Sequence, residues 1–85
     1  MREITYVITD REGIHARPAG LLVKEASRFQ SALTIKKGDK GGDLKRIFAV
    51  MGLAAKQGET VAITAEGADE DEAIQAIEAC LKANL

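Results

Sequence analysis

The chain has no tryptophan, one tyrosine and two phenylalanines, so aromatic residues supply only 4% of its 85 positions. A small α+β domain that reads RNA stacks bases on exposed rings, and this composition speaks against that role. Neither sign of charge is in excess: 12 Lys and Arg against 13 Asp and Glu leave a net charge of −1. A general nucleic-acid binder would carry a basic surplus. A single cysteine, Cys80, cannot close an internal disulfide. That excludes a disulfide scaffold and points to a reducing, cytoplasmic setting. One histidine and one cysteine cannot assemble a Cys/His zinc cluster, and no metal or cofactor is expected. No apolar run approaches the roughly 18 residues of a membrane span. Met1-Arg2-Glu3 leads directly into a strand-like pattern, with no sign of a signal peptide. What is present is an ordinary globular balance, 46% hydrophobic and 29% charged, at a length that supports one domain over residues 1–85.

Residues 2–9 alternate, with Ile4, Tyr6 and Ile8 on one side and Glu3, Thr5 and Thr9 on the other, which predicts a strand. Asp10-Arg11-Glu12-Gly13 breaks it with a polar turn. From Ala16 the apolar positions Ala19, Leu22, Val23, Ala26 and Phe29 fall on one helical face, and Pro18 fits the first turn of that helix. Ala32–Lys37 reads as a second strand, and the glycine-rich stretch after it turns into a short third strand near 40–44. Ile47, Val50, Met51 and Ala54 predict a short helix limited by Gly52 and Gly58, and Thr60–Glu66 alternates again as a fourth strand. Asp69 is placed to cap a last helix, with Glu72 completing a capping box. Ala73, Ile74, Ile77, Cys80 and Leu81 form its inner stripe, which makes Cys80 a small core residue. The order βαββαβα implies an α+β arrangement with helices covering one face of a sheet.

Reactive groups are scarce, which narrows the search to His15. It stands between the turn ending at Gly13 and the helix beginning near Ala16. Ser, Thr, Asp and Asn cap helices better than histidine does, so the choice is unusual if structure alone mattered. A capping or simply solvated histidine is the plain alternative, and spacing does not choose between the two. The chemical reading starts from the helix N-terminus, where free backbone N–H groups and a partial positive charge attract anions. The N–H groups of Ala16 and Arg17 are available, and the Arg17 guanidinium is a fork suited to phosphate oxygens. Together they could hold a phosphoryl group on the His15 ring, on the nitrogen nearer the helix amides.

Gly13-Ile14-His15-Ala16-Arg17-Pro18-Ala19 resembles the active-site signature of the histidine-containing phosphocarrier (HPr) family of the bacterial phosphoenolpyruvate:sugar phosphotransferase system. Lys45-Arg46-Ile47-Phe48, Gly58, Val61–Ala65 and Glu66-Gly67-Ala68-Asp69-Glu70 also sit at family-like spacings, so the resemblance runs essentially the whole length. It implies an open-faced two-layer sandwich, a four-stranded antiparallel sheet with three helices on one face. It implies a carrier rather than an enzyme, one that accepts a phosphoryl group from enzyme I as a pros-phosphohistidine at His15. Arg17 would act as phosphate clamp, and the group would pass on to enzyme IIA domains.

A carrier of this kind docks with several proteins through a shared apolar patch. The candidates are Ala16, Gly20, Ile47, Phe48 and Met51, with Lys24, Lys45 and Arg46 as a positive rim. The plain alternative is that a domain this small buries its few large apolar residues. Lys36, Lys37 and Lys40 read as a solvated face. Many Gram-positive members of the family carry a regulatory phosphoserine just before the Ile-Phe-like pair. Arg46 stands there instead, so no serine switch is expected at that position. A monomer is expected, with no nucleic-acid partner and no membrane insertion. Transcriptional regulators are further possible partners, and the alternative function is a specialised regulatory paralogue in a nitrogen-type or dihydroxyacetone-kinase-linked relay.

Overall fold

The computed structural model covers residues 1–85 and contains seven elements in the expected order. They are β1 (Arg2–Val7), α1 (Ala16–Ala26), β2 (Ala32–Lys37), β3 (Lys40–Asp43), α2 (Ile47–Gly52), β4 (Thr60–Glu66) and α3 (Glu70–Asn84). The strands form one antiparallel sheet in the order β1-β4-β2-β3. Its register puts Ile63 opposite both Ile4 and Ile35, so three isoleucines line up across β1, β4 and β2. Because side chains alternate along each strand, Leu33, Ile35, Val61, Ile63 and Ala65 all reach the same face and are buried. The other face carries Thr5, Thr34, Lys36, Ala62 and Thr64 and remains uncovered. This is the open-faced α+β sandwich.

The helices cover the inner face. Ala19, Leu22 and Ala26 of α1, Val50 of α2, and Ala73, Ile74, Ile77 and Leu81 of α3 join the sheet residues in a single core. Each fully buried Leu or Ile contributes on the order of 1.5–3 kcal/mol through removal from water. Cys80 is only half-buried at the edge of this core, and burial pushes its thiol pKa up. The weak third strand is held from two sides. A two-residue turn, Gly38-Asp39, joins paired Lys37 and Lys40, and Gly42 lets α2 approach so closely that a Cβ there would lie 2.9 Å from the Ala49 methyl.

Three expectations change. The capping box does not form: Asp69 occupies the N-cap of α3 but makes no side-chain cap bond. Its carboxylate instead accepts the N–H groups of Gln30 and Ser31, each at 2.9 Å, and the Ser31 hydroxyl. Ser31 is 1% exposed, and a buried hydroxyl without a partner is costly, so the connection from α1 to β2 claims the carboxylate. Glu72 points to solvent, while Glu70 accepts the Gly67 N–H at 3.3 Å. Lys37 is not solvated either. Its ammonium donates to the Ala54 carbonyl at 3.2 Å and pairs with Glu59 at 3.4 Å. Lys45 is drawn away from any rim, its ammonium donating to the Phe29 carbonyl at 2.7 Å.

Candidate functional site

The segment between β1 and α1 has no regular structure, so its position depends on what it hydrogen-bonds. At its start, the Thr9 and Asp10 N–H groups donate to the Leu85 carbonyl, at 2.7 and 3.0 Å, which ties the segment to the end of α3. Asp10 then folds the chain over: its Oδ1 accepts the Glu12 N–H at 2.8 Å, and its carbonyl accepts the Gly13 N–H at 3.0 Å. Gly13 takes φ +69°, a left-handed conformation, and the backbone of Ala55 and Lys56 occupies the space a Cβ would need there. The next residue, Ile14, is 6% exposed and donates its N–H to the Ala55 carbonyl at 2.9 Å. Ile14 is thus a plug, and it delivers His15 to the surface at a set angle.

His15 is the N-cap of α1, in extended backbone, rather than a first-turn residue, and its ring makes no capping bond. Its carbonyl accepts the Ala19 N–H, the first bond of the helix. Pro18 has no N–H to offer, so the open donors at this helix end are Ala16 and Arg17, and no group of the protein takes either. The imidazole is about one-third exposed. Its Nε2 lies 3.4 Å from Oε2 of Glu12 and 3.8 Å from Oδ1 of Asp10. Arg17 is exposed and enters no ion pair. His15, Arg17, Asp10, Glu12, Leu21 and Asn84 line one shallow depression.

The site therefore gathers groups of both signs around one ring. The helix amides and Arg17 attract an anion, as the sequence suggests. The two carboxylates facing Nε2 are a surprise, since the sequence reading surrounds the ring with positive groups alone. The Glu12–His15 separation of three residues within a turn was the available signal. Asp10, Glu12 and His15 bring ligand-type atoms within 4.8 Å of one another, close enough to share a cation. Imidazole–carboxylate pairing accounts for the same closeness, and no ion is assigned to them.

The apolar candidates lie where α1 meets α2. A Cβ on Gly20 would lie 3.9 Å from Cδ1 of Ile47, which locates the contact between the helices. Val50 and Leu53 turn into the core, whereas Phe48 is 85% exposed and Met51 lies open beside it. Ile47 is half-buried, Ala16 is exposed, and Gly20 is partly covered. Leu21 is also exposed. Leu21 is not among the residues expected at the surface, although a leucine outside the inner stripe of an amphipathic helix is the visible clue. Lys24 and Arg46 both reach solvent. Arg46 caps α2 by position and keeps a loose pairing with Asp43 at 3.8 Å.

Fold and site together define a small α+β protein that presents one histidine, at the mouth of a helix, to the surface. Comparison with known proteins narrows the class. The family model for the PTS HPr component phosphorylation site matches residues 2–83. The phosphocarrier protein HPr of Mycoplasma capricolum is 51% identical over 77 residues, spanning 91% of this chain and 86% of that protein. Among solved structures, a Mycoplasma histidine-containing phosphocarrier protein superposes with a TM-score of 0.94 at 46% identity, covering 96% of this chain and 93% of the other. HPr from Thermoanaerobacter tengcongensis matches at 0.93 and 41% identity, covering 98% and 93%; a dimer of the same protein matches at 0.78. This chain belongs to the HPr family.

Proposed function

We propose that this protein carries a phosphoryl group on His15 in the phosphoenolpyruvate:sugar phosphotransferase system, from enzyme I to enzyme IIA domains. The observation that carries the reading is the N-cap imidazole beside two unclaimed amides and an unpaired guanidinium. With Nε2 turned to the carboxylates, Nδ1 is the nitrogen left for phosphorus, which supports a pros-phosphohistidine. In the acceptance step, the Nδ1 lone pair forms the new N–P bond while the donor's bond to phosphorus breaks and its electron pair stays with the donor. The Ala16 and Arg17 N–H groups and the Arg17 guanidinium then compensate the charge spread over the phosphoryl oxygens.

The protein acts in this reading as a carrier, a role supported by relatives that are named phosphocarrier proteins. Phe48, Met51 and Ile47, with Ala16 and Gly20 across from them, form the docking face. Lys24 and Arg46 steer acidic partner surfaces toward it. In this reading residues 1–85 act as one unit, a monomer in the cytoplasm. No helix is long and apolar enough to cross a membrane. Incubation with enzyme I and phosphoenolpyruvate should add the mass of one phosphoryl group, and His15→Ala should abolish the addition. An unshifted mass, or a shift that survives His15→Ala, overturns the proposal. No feature of the site favours the specialised regulatory reading over this one.

A further inference from the structure

We infer that Glu12, with Asp10 behind it, is a positioning residue that keeps the Nε2 proton on the phosphorylated ring and so keeps the phosphoryl group transferable. The inference rests on His15 accepting phosphorus at Nδ1 and concerns what the rest of the ring must do.

The chemistry follows from the proton count. A neutral histidine that attacks through Nδ1 carries its proton on Nε2. When the N–P bond forms, Nδ1 gains a third partner, the Nε2–H stays, and the ring becomes a cation. When phosphorus moves on to the next acceptor, the P–Nδ1 bond breaks, its electron pair returns to Nδ1, and a neutral imidazole departs. If Nε2 lost its proton in between, the departing group would be an imidazolate anion, a far poorer leaving group. Whatever holds that proton therefore controls whether the stored phosphoryl group can leave.

Two carboxylates face Nε2, Glu12 at 3.4 Å and Asp10 at 3.8 Å. The closer distance is about 0.5 Å beyond a usual N–H···O bond, a gap that one side-chain adjustment closes. Neither carboxylate is spent on a cation: Glu12 has no Lys or Arg partner, and Asp10 is occupied only by the Glu12 N–H. Asp10 Oδ1 is thus fixed by the turn, which also sets the Glu12 backbone from which the exposed side chain reaches the ring. The other elements around the depression contribute Arg17 from α1, whose cation belongs on the phosphoryl side, and neutral Asn84 from α3. Negative charge thus lies against Nε2, while Arg17 lines the same depression. Carboxylates at Nε2 also favour the tautomer with Nδ1 free before the reaction.

The test loads His15 chemically with phosphoramidate, which gives up its phosphoryl group with loss of ammonia and needs no enzyme I. Imidazole ¹⁵N NMR then assigns the phosphorylated nitrogen and follows Nε2 through a pH titration of the phosphorylated protein. Glu12→Gln should lower the proton affinity of the phosphorylated ring about 2- to 5-fold, the scale of an exposed ion pair. Adding Asp10→Asn should lower it further, and Glu12→Asp should restore part of the loss. The pH at which phosphoryl transfer to free imidazole falls off should move down in step, with thermal stability unchanged for Glu12→Gln. An unmoved titration in both variants, or phosphorus found on Nε2, overturns the inference. Failure of enzyme I to label the wild-type protein counts instead against the carrier role.

Discussion

Substituting Gly13 by alanine tests how the histidine is held. At φ +69° a side chain costs about 1–2 kcal/mol in the left-handed conformation alone. The added Cβ would also lie 2.2 Å from the Ala55 carbonyl oxygen and 2.8 Å from the Lys56 α-carbon. Both obstacles are backbone and cannot swing aside, so overpacking adds about 1–3 kcal/mol. Relief by moving the segment outward would break the Ile14 N–H bond to the same carbonyl, leaving a buried donor unmatched at about 1–3 kcal/mol. Gly13→Ala should therefore cost about 2–5 kcal/mol, a large part of the roughly 4–13 kcal/mol expected for a domain of this length. Gly38→Ala is the control: φ there is +59° with nothing within 4 Å, so it should cost only the conformational 1–2 kcal/mol. Urea unfolding followed by circular dichroism gives both values. Under native conditions Gly13→Ala should also slow phosphoryl acceptance by His15, while Gly38→Ala should not. Two variants within about 0.5 kcal/mol of each other would refute the collision argument.

Two further outcomes separate surface from core and charge from packing. Phe48→Ala should leave stability within about 0.5 kcal/mol of wild type yet weaken binding to enzyme I, whereas Val50→Ala, two residues on, should cost about 2 kcal/mol; calorimetric binding and denaturant unfolding check the pair. The Ser31 hydroxyl, then the Gln30 and Ser31 N–H groups, hold the Asp69 carboxyl below the ordinary aspartate range. A group depressed in the folded state stabilises above its unfolded pKa, and that contribution is lost as pH falls through the folded value. Asp69→Ala should thus be less stable at neutral pH, with its gap to wild type narrowing on acidification; a gap constant from neutral to strongly acidic pH would contradict this.

Much of the fold was legible because burial writes itself into periodicity. Leu33 and Ile35, Val61 and Ile63, and Leu22 and Ala26 all turned inward where their spacing placed them. Boundaries followed as well, with Ala32–Lys37 and Thr60–Glu66 forming strands over the predicted residues. What misled were polar and charged side chains with more than one available partner. Asp69 had a good local use as a cap and a better distant one at Ser31, 38 residues away. Lys37 and Lys45 looked like solvated charges until Ala54 and Phe29 brought carbonyls within reach. Leu21 escaped because an off-stripe leucine gains meaning only once it lines the same depression as His15 and Arg17.

The order of elements, the apolar face of each, and the histidine with its arginine two residues on all follow from the sequence, because each depends on neighbours within a turn or two of chain. The carbonyl of Ala55 that seats Ile14 and the Leu85 carbonyl that anchors Thr9 and Asp10 were decided by tertiary structure. An irregular segment carries no repeating hydrogen-bond pattern of its own. Its position is therefore set by whichever distant donors and acceptors the packed sheet and helices leave open.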